Sequence, residues 1–126
     1  FTMKGLIFAF AFMLFSMSAM GQEQQAVVSD VDDYAIVKDE VVDGIRYVVA
    51  TPSAKVCSKQ IDIEIKDGII QKVVYTRGCE GNAKGIGALI KDMSVEEAIR
   101  RLEGINCGKR GTSCPDQLAK ILNALK

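Results

Sequence analysis

The chain has 126 residues, enough for one small domain rather than two. Its 16 basic and 16 acidic residues cancel, and no block of like charge exceeds a few residues, which removes the electrostatic case for nucleic acid or an anionic membrane as partner. It has no His, so Ser-His-Asp and Cys-His nucleophile pairs, imidazole metal ligands and imidazole acid–base chemistry are excluded within it.

The first segment reads as a targeting device. Met3-Lys4 is a short basic start, and Gly5 to Met17 is almost wholly apolar. Small residues at Ala19 and Gly21 precede a polar Gln22-Glu23-Gln24-Gln25. This is the order of a secretory signal peptide over residues 1–21, and it predicts export to the periplasm or beyond. The run of about 13 apolar residues is short of the ~20 that span a bilayer, so no transmembrane span is expected in the mature form. It would also suit a buried core helix. All five Phe of the chain lie within residues 1–15, on every helical face, which suits targeting better. No Cys follows the run, so no lipid anchor is indicated. Cleavage after Gly21 would remove every Phe and keep every Cys. Residues 22–33 are polar and acidic and are read as a flexible linker. Residues 34–126 are read as a single domain with an aliphatic core.

Two apolar runs, AIVKDEVV and IRYVVA, flank Asp43-Gly44, and Asp-Gly between strand-forming runs signals a two-residue hairpin. Thr51-Pro52-Ser53 breaks the pattern. Gln60 to Lys66 alternates strictly, with Ile61, Ile63 and Ile65 on one face and Asp62, Glu64 and Lys66 on the other. Asp67-Gly68 turns it into IIQKVVYTR. One dry and one wet face fit an antiparallel sheet with helices on one side.

Beyond Gly78 the period becomes helical. Ile86, Leu89, Ile90 and Met93 share a face. Ser94-Val95-Glu96-Glu97 reads as a capping box, with Ser94 accepting from the amide three residues on and Glu97 reaching back. Val95, Ala98, Ile99, Leu102 and Ile105 form the next apolar stripe, closed by Gly104. Pro115 stands in a first helical turn, and Leu118, Ile121, Leu122 and Leu125 form a third stripe. The predicted fold is α+β: antiparallel β-hairpins packed against about three C-terminal helices.

Cys57, Cys79, Cys107 and Cys114 are the candidate site. Each falls at the end of a predicted element or in a loop, not in an apolar stripe. Cys57 precedes the alternating strand, Cys79 ends its return and opens a helix, Cys107 lies in the loop Gly104 to Gly111, and Cys114 starts the last helix. Helix N-termini favour thiolates, and thiolates are what Zn²⁺ or an iron–sulfur centre needs. Their spacing, with 21, 27 and 6 residues between successive cysteines, matches no common zinc-finger template. Two disulfides in an exported chain, giving a stapled binding protein without metal, or four separate buried thiols are the other arrangements the residues allow. A thiol redox enzyme is weakened by the lack of a C-x-x-C pair.

Thr112-Ser113-Cys114-Pro115-Asp116 spells the signature of the TSCPD family, and the segment Val56 to Lys126 (VCSKQIDIEI, RGCEGNAKGI, LEGINCGKRGTSCPDQLAKIL) resembles its small stand-alone members. Residues 3 to about 54 look like an addition to that pattern. The resemblance implies a relation to the C-terminal region of adenosylcobalamin-dependent ribonucleotide reductases, and a metal-binding cysteine cluster. Ribonucleotide reduction itself needs a radical cofactor site and a barrel of several hundred residues. About 105 mature residues have no room for either, and export removes the chain from cytosolic deoxynucleotide synthesis, so no catalytic residue is assigned. A shorter resemblance, to NifU-like iron–sulfur scaffold proteins, aligns Cys57, Cys79 and Cys114 with that family's ligands. It leaves Cys107 without a counterpart and places Lys59 where an acidic residue is expected. A protein partner is left open.

Overall fold

Backbone chemistry at the two Asp-Gly pairs fixes the sheet. The computed structural model describes residues 33–126, so the expected signal peptide and all of the expected linker except Asp33 lie outside the described residues. Asp43 and Gly44 have φ of 52° and 79°, and Asp67 and Gly68 have φ of 51° and 74°. Positive φ at both central residues is the turn that matches strand twist, and short polar Asp followed by Gly tolerates it best. The strands are β1 (Ala35–Val42), β2 (Ile45–Thr51), β3 (Gln60–Lys66) and β4 (Ile69–Thr76), paired antiparallel in the order β1-β2-β3-β4.

Strict alternation on β3 does what it predicts. Ile61, Ile63 and Ile65 are buried, and Asp62, Glu64 and Lys66 are not. On β4 the alternation slips. Glu64 pairs with Lys72 but Ile65 pairs with Ile70, leaving Gln71 as the extra residue of a bulge. The bulge lets Ile70 and Val73, three positions apart, both face the core. Edge strand β1 leaves Val37 and Val41 about two-thirds exposed.

Three helices follow: α1 (Glu80–Ile90), α2 (Val95–Leu102) and α3 (Cys114–Ala124). The third stripe is the best buried, with Leu118, Ile121 and Leu122 fully enclosed and Leu125 nearly so. They meet Val48, Ala50, the three β3 isoleucines and Ile70 in one aliphatic core. Each such side chain taken fully from water contributes about 1.5–3 kcal/mol.

The other two stripes are narrower than predicted. Leu89 is 78% exposed, because α1 turns only Ile86 and Ile90 toward the core. Met93 packs on the core from the connection after the helix. Ile105 lies past the end of α2 and is exposed. Ser94 caps α2 by accepting from the Glu97 amide, but the Glu97 carboxylate pairs with Arg100 and Arg101 instead of reaching back. The Ser94 segment runs beside the start of β4: Val95 N–H donates to Gly68 O and Ile70 N–H to Met93 O. Helix α1 lies against β4, and a Cβ at Gly87 would stand 2.8 Å from Val73 O, so this packing depends on the glycine.

Asp33, predicted to end a flexible linker, is tied down. Gln117 Nε2 donates to its carboxylate at 2.7 Å, and Lys120 Nζ lies at 3.3 Å. No helix among the described residues is long and apolar enough to cross a membrane.

Candidate functional site: a four-cysteine pocket

Antiparallel pairing brings the first two cysteines together. Gln60 pairs with Thr76, and Lys59 N–H donates to Thr76 O at 2.8 Å, so the approach to β3 runs beside the exit of β4. Cys57 thereby faces Gly78-Cys79. Gly78 has φ of 98°, and a Cβ there would meet Ser58 N at 3.4 Å and Cys57 Cβ at 3.5 Å. The positive φ is what favours glycine here, and the contacts show how near the Cys57-Ser58 segment lies. Cys79 is the N-cap residue of α1, and its side chain makes no capping hydrogen bond.

The other two cysteines are positioned from α3. Ser113 is its N-cap, accepting from Asp116 N–H at 3.1 Å and donating to Ile105 O at 2.6 Å. Pro115 occupies the first turn, where its missing N–H costs nothing. Thr112 Oγ1 donates to Asp116 Oδ2 at 2.6 Å, and Asp116 Oδ1 accepts from Gly104 N–H at 2.8 Å. One buried carboxylate thus closes the loop between α2 and α3. Gln117, wholly buried, donates to Thr112 Oγ1 at 3.0 Å and accepts from Ser53 N–H at 2.9 Å. Within the loop, Cys107 N–H donates to Thr112 O and Arg110 N–H to Cys107 O. The pentapeptide therefore spends its Thr, Ser, Pro and Asp on geometry, and none of the four engages the Cys114 thiol.

All four cysteines line one pocket of about 440 Å³. They are free thiols. Cys57, Cys79 and Cys107 are exposed, and Cys114 is half-buried. Ser58 Oγ donates to Cys114 Sγ at 3.2 Å, and the Tyr75 hydroxyl donates to Cys114 O at 3.2 Å. Burial, with the Cys114 charge beside it, pushes the Tyr75 phenol well above its ordinary value, so Tyr75 stays a neutral donor. Arg110 Nη1 donates to Cys57 Sγ at 3.3 Å. This bond, with the Cys57, Cys107 and Cys114 sulfurs nearby, raises the guanidinium's pKa above its ordinary value. Val56, Ala83, Ile86 and Leu89 form an apolar wall. The thiols share a pocket lining rather than a closed shell. Among the described residues, no three Cys, His, Asp or Glu side chains are drawn together as a metal-binding group.

Every cysteine predicted from sequence lies at this pocket. Sequence reasoning missed Arg110, Ser58 and Tyr75, which come from a loop, a strand approach and a strand, and carry no motif. It also missed the structural use of Thr112, Asp116 and Gln117.

The sequence pattern of the TSCPD domain matches residues 35–126, nearly all of the described chain. The protein belongs to the TSCPD domain family. The match begins at Ala35, so hairpin β1–β2 is part of the TSCPD domain and not an addition before it. Neither the curated proteins nor the solved structures searched contain a match to the chain.

Proposed function

We propose that this TSCPD protein is an exported metal-binding module in which Cys57, Cys79, Cys107 and Cys114 supply thiolates to Zn²⁺ or an iron–sulfur centre. The observation that carries the reading is that four cysteines from three separate parts of the chain line a single pocket. Three further features support it. Each sulfur is free and at least partly accessible. An arginine stands among them as a counter-charge. The chain has no His, so sulfur is its soft ligand. Binding would draw the four from the pocket wall to Zn–S distances of about 2.3 Å. The domain acts by holding the ion. Ribonucleotide reduction is not assigned to it.

Single Cys→Ser substitutions test the ligand set. Each should weaken metal binding sharply, since each removes a quarter of the shell. If the cysteines instead form two disulfides, the four variants fall into two pairs, each leaving one free thiol. Export is tested by intact mass from the native host. A mature start near Gln22 is expected, and a soluble cytosolic form retaining Met3 to Met20 would contradict it.

A further inference from the structure

The loop 104–113 delivers Cys107 and a cation in the same stroke. Arg110 N–H donates to Cys107 O at 3.2 Å, folding the loop back so that the Arg110 side chain reaches Cys57, 53 positions earlier in the chain. Gly108 and Gly111 have φ of 59° and 74° on either side of it. Three of the other described arginines find carboxylates. Arg46 is paired with Asp39, and Arg100 and Arg101 with Glu97. Among the described residues, no carboxylate lies within ion-pairing distance of Arg110, and its guanidinium hydrogen-bonds to a sulfur. The pocket lining contains two cationic residues, Arg77 and Arg110, and no acidic one.

We infer that Arg110 is the charge-compensating residue of the four-cysteine site, holding Cys57 in position and offsetting the negative charge that four thiolates leave on a divalent ion. This rests on the metal-binding reading of the pocket. Four thiolates around a 2+ ion carry a net charge of −2, which apolar surroundings penalise unless a cation or donors stand outside the shell. Val56, which is buried, and Ile86, which is half-buried, are such surroundings. Ser58, donating to Cys114 Sγ, shares the task without bringing charge. Outer-shell partners of this kind alter metal affinity by about 10–100-fold.

The test is titration of the reduced full chain with Co²⁺ as a spectroscopic probe, in wild type, Arg110→Gln, Arg110→Lys and Lys109→Gln. Thermal unfolding of each apo form would check that the fold is kept. Arg110→Gln should weaken Co²⁺ binding about tenfold or more with its Co–S absorption bands unchanged in position, because the ligands remain. Arg110→Lys should recover part of the loss, and the wild-type advantage should shrink as salt is raised. Lys109→Gln removes the same charge from the same loop outside the pocket lining and should bind like wild type. Binding by Arg110→Gln within twofold of wild type, or an equal loss in Lys109→Gln, would overturn the inference and leave the metal site standing. Failure of wild type to take up Co²⁺ would overturn both.

Discussion

Thr112 and Asp116, the first and last letters of the family signature, are bonded to each other. The hydroxyl of Thr112 donates to the Asp116 carboxylate at 2.6 Å, and both residues are at least 95% buried. The same carboxylate accepts the Gly104 amide, so it fastens the start of the cysteine loop to the start of α3. Removing it would leave the buried Thr112 O–H and a loop amide without their acceptor, while Thr112 Oγ1 keeps the bond from Gln117. Asp116→Ala should cost about 1–3 kcal/mol. Thr112→Val should cost less, and the double variant should be less destabilised than the sum, showing a coupling of about 0.5–3 kcal/mol in chemical denaturation. Strict additivity would mean that the pair does not act as a unit.

Arg46 joins the first hairpin to the last helix. It grips Asp39 with two hydrogen bonds, of 2.7 and 2.6 Å, and donates to Leu125 O at 2.7 Å. The Arg46 hydrogen bond holds the Asp39 carboxyl below its ordinary value of 3.8. A depressed carboxyl stabilises the fold above the unfolded-state pKa, and that contribution is lost as pH falls through the folded-state value. Asp39→Asn should therefore destabilise at pH 7, by no more than about 1 kcal/mol for a pair this exposed to solvent. The deficit should shrink below pH 3.8. Unfolding curves with an equal deficit at pH 7 and pH 3 would contradict this.

Gly87 sets how closely α1 lies on β4, and Cys79 is the N-cap of α1. A Cβ at this position would meet the Val73 backbone oxygen at 2.8 Å, and a backbone atom cannot swing aside. Gly87→Ala should destabilise by about 1–3 kcal/mol despite the better helix propensity of Ala. A gain in thermal stability would mean that α1 stands further off the sheet.

Most of the fold is legible in the residues themselves. The Asp-Gly turns, the β3 alternation and the α3 stripe each carry a local rule that packing does not override. Leu89 and Ile105 mislead because helical spacing shows which residues share a face, not where the helix stops or whether the sheet reaches that far. The β4 bulge leaves no mark in the sequence, since Gln71 is neither Gly nor Pro. The cysteines are visible as candidates by position, but their convergence depends on the β3–β4 register and the closure of loop 104–113. Arg110 is invisible for the same reason, because its partner lies 53 residues away.

The central claim is that the four cysteines form one thiolate site for a metal. The most direct measurement is metal content together with a free-thiol count on the same full-chain sample, before and after reduction and reloading with Zn²⁺. We predict one Zn²⁺, or one iron–sulfur centre, per chain, with four thiols protected from alkylation while metal is bound and all four reactive after chelation. Protein without metal, with no free thiol until reduced and no Zn²⁺ uptake afterwards, would contradict the account and establish two disulfides in its place.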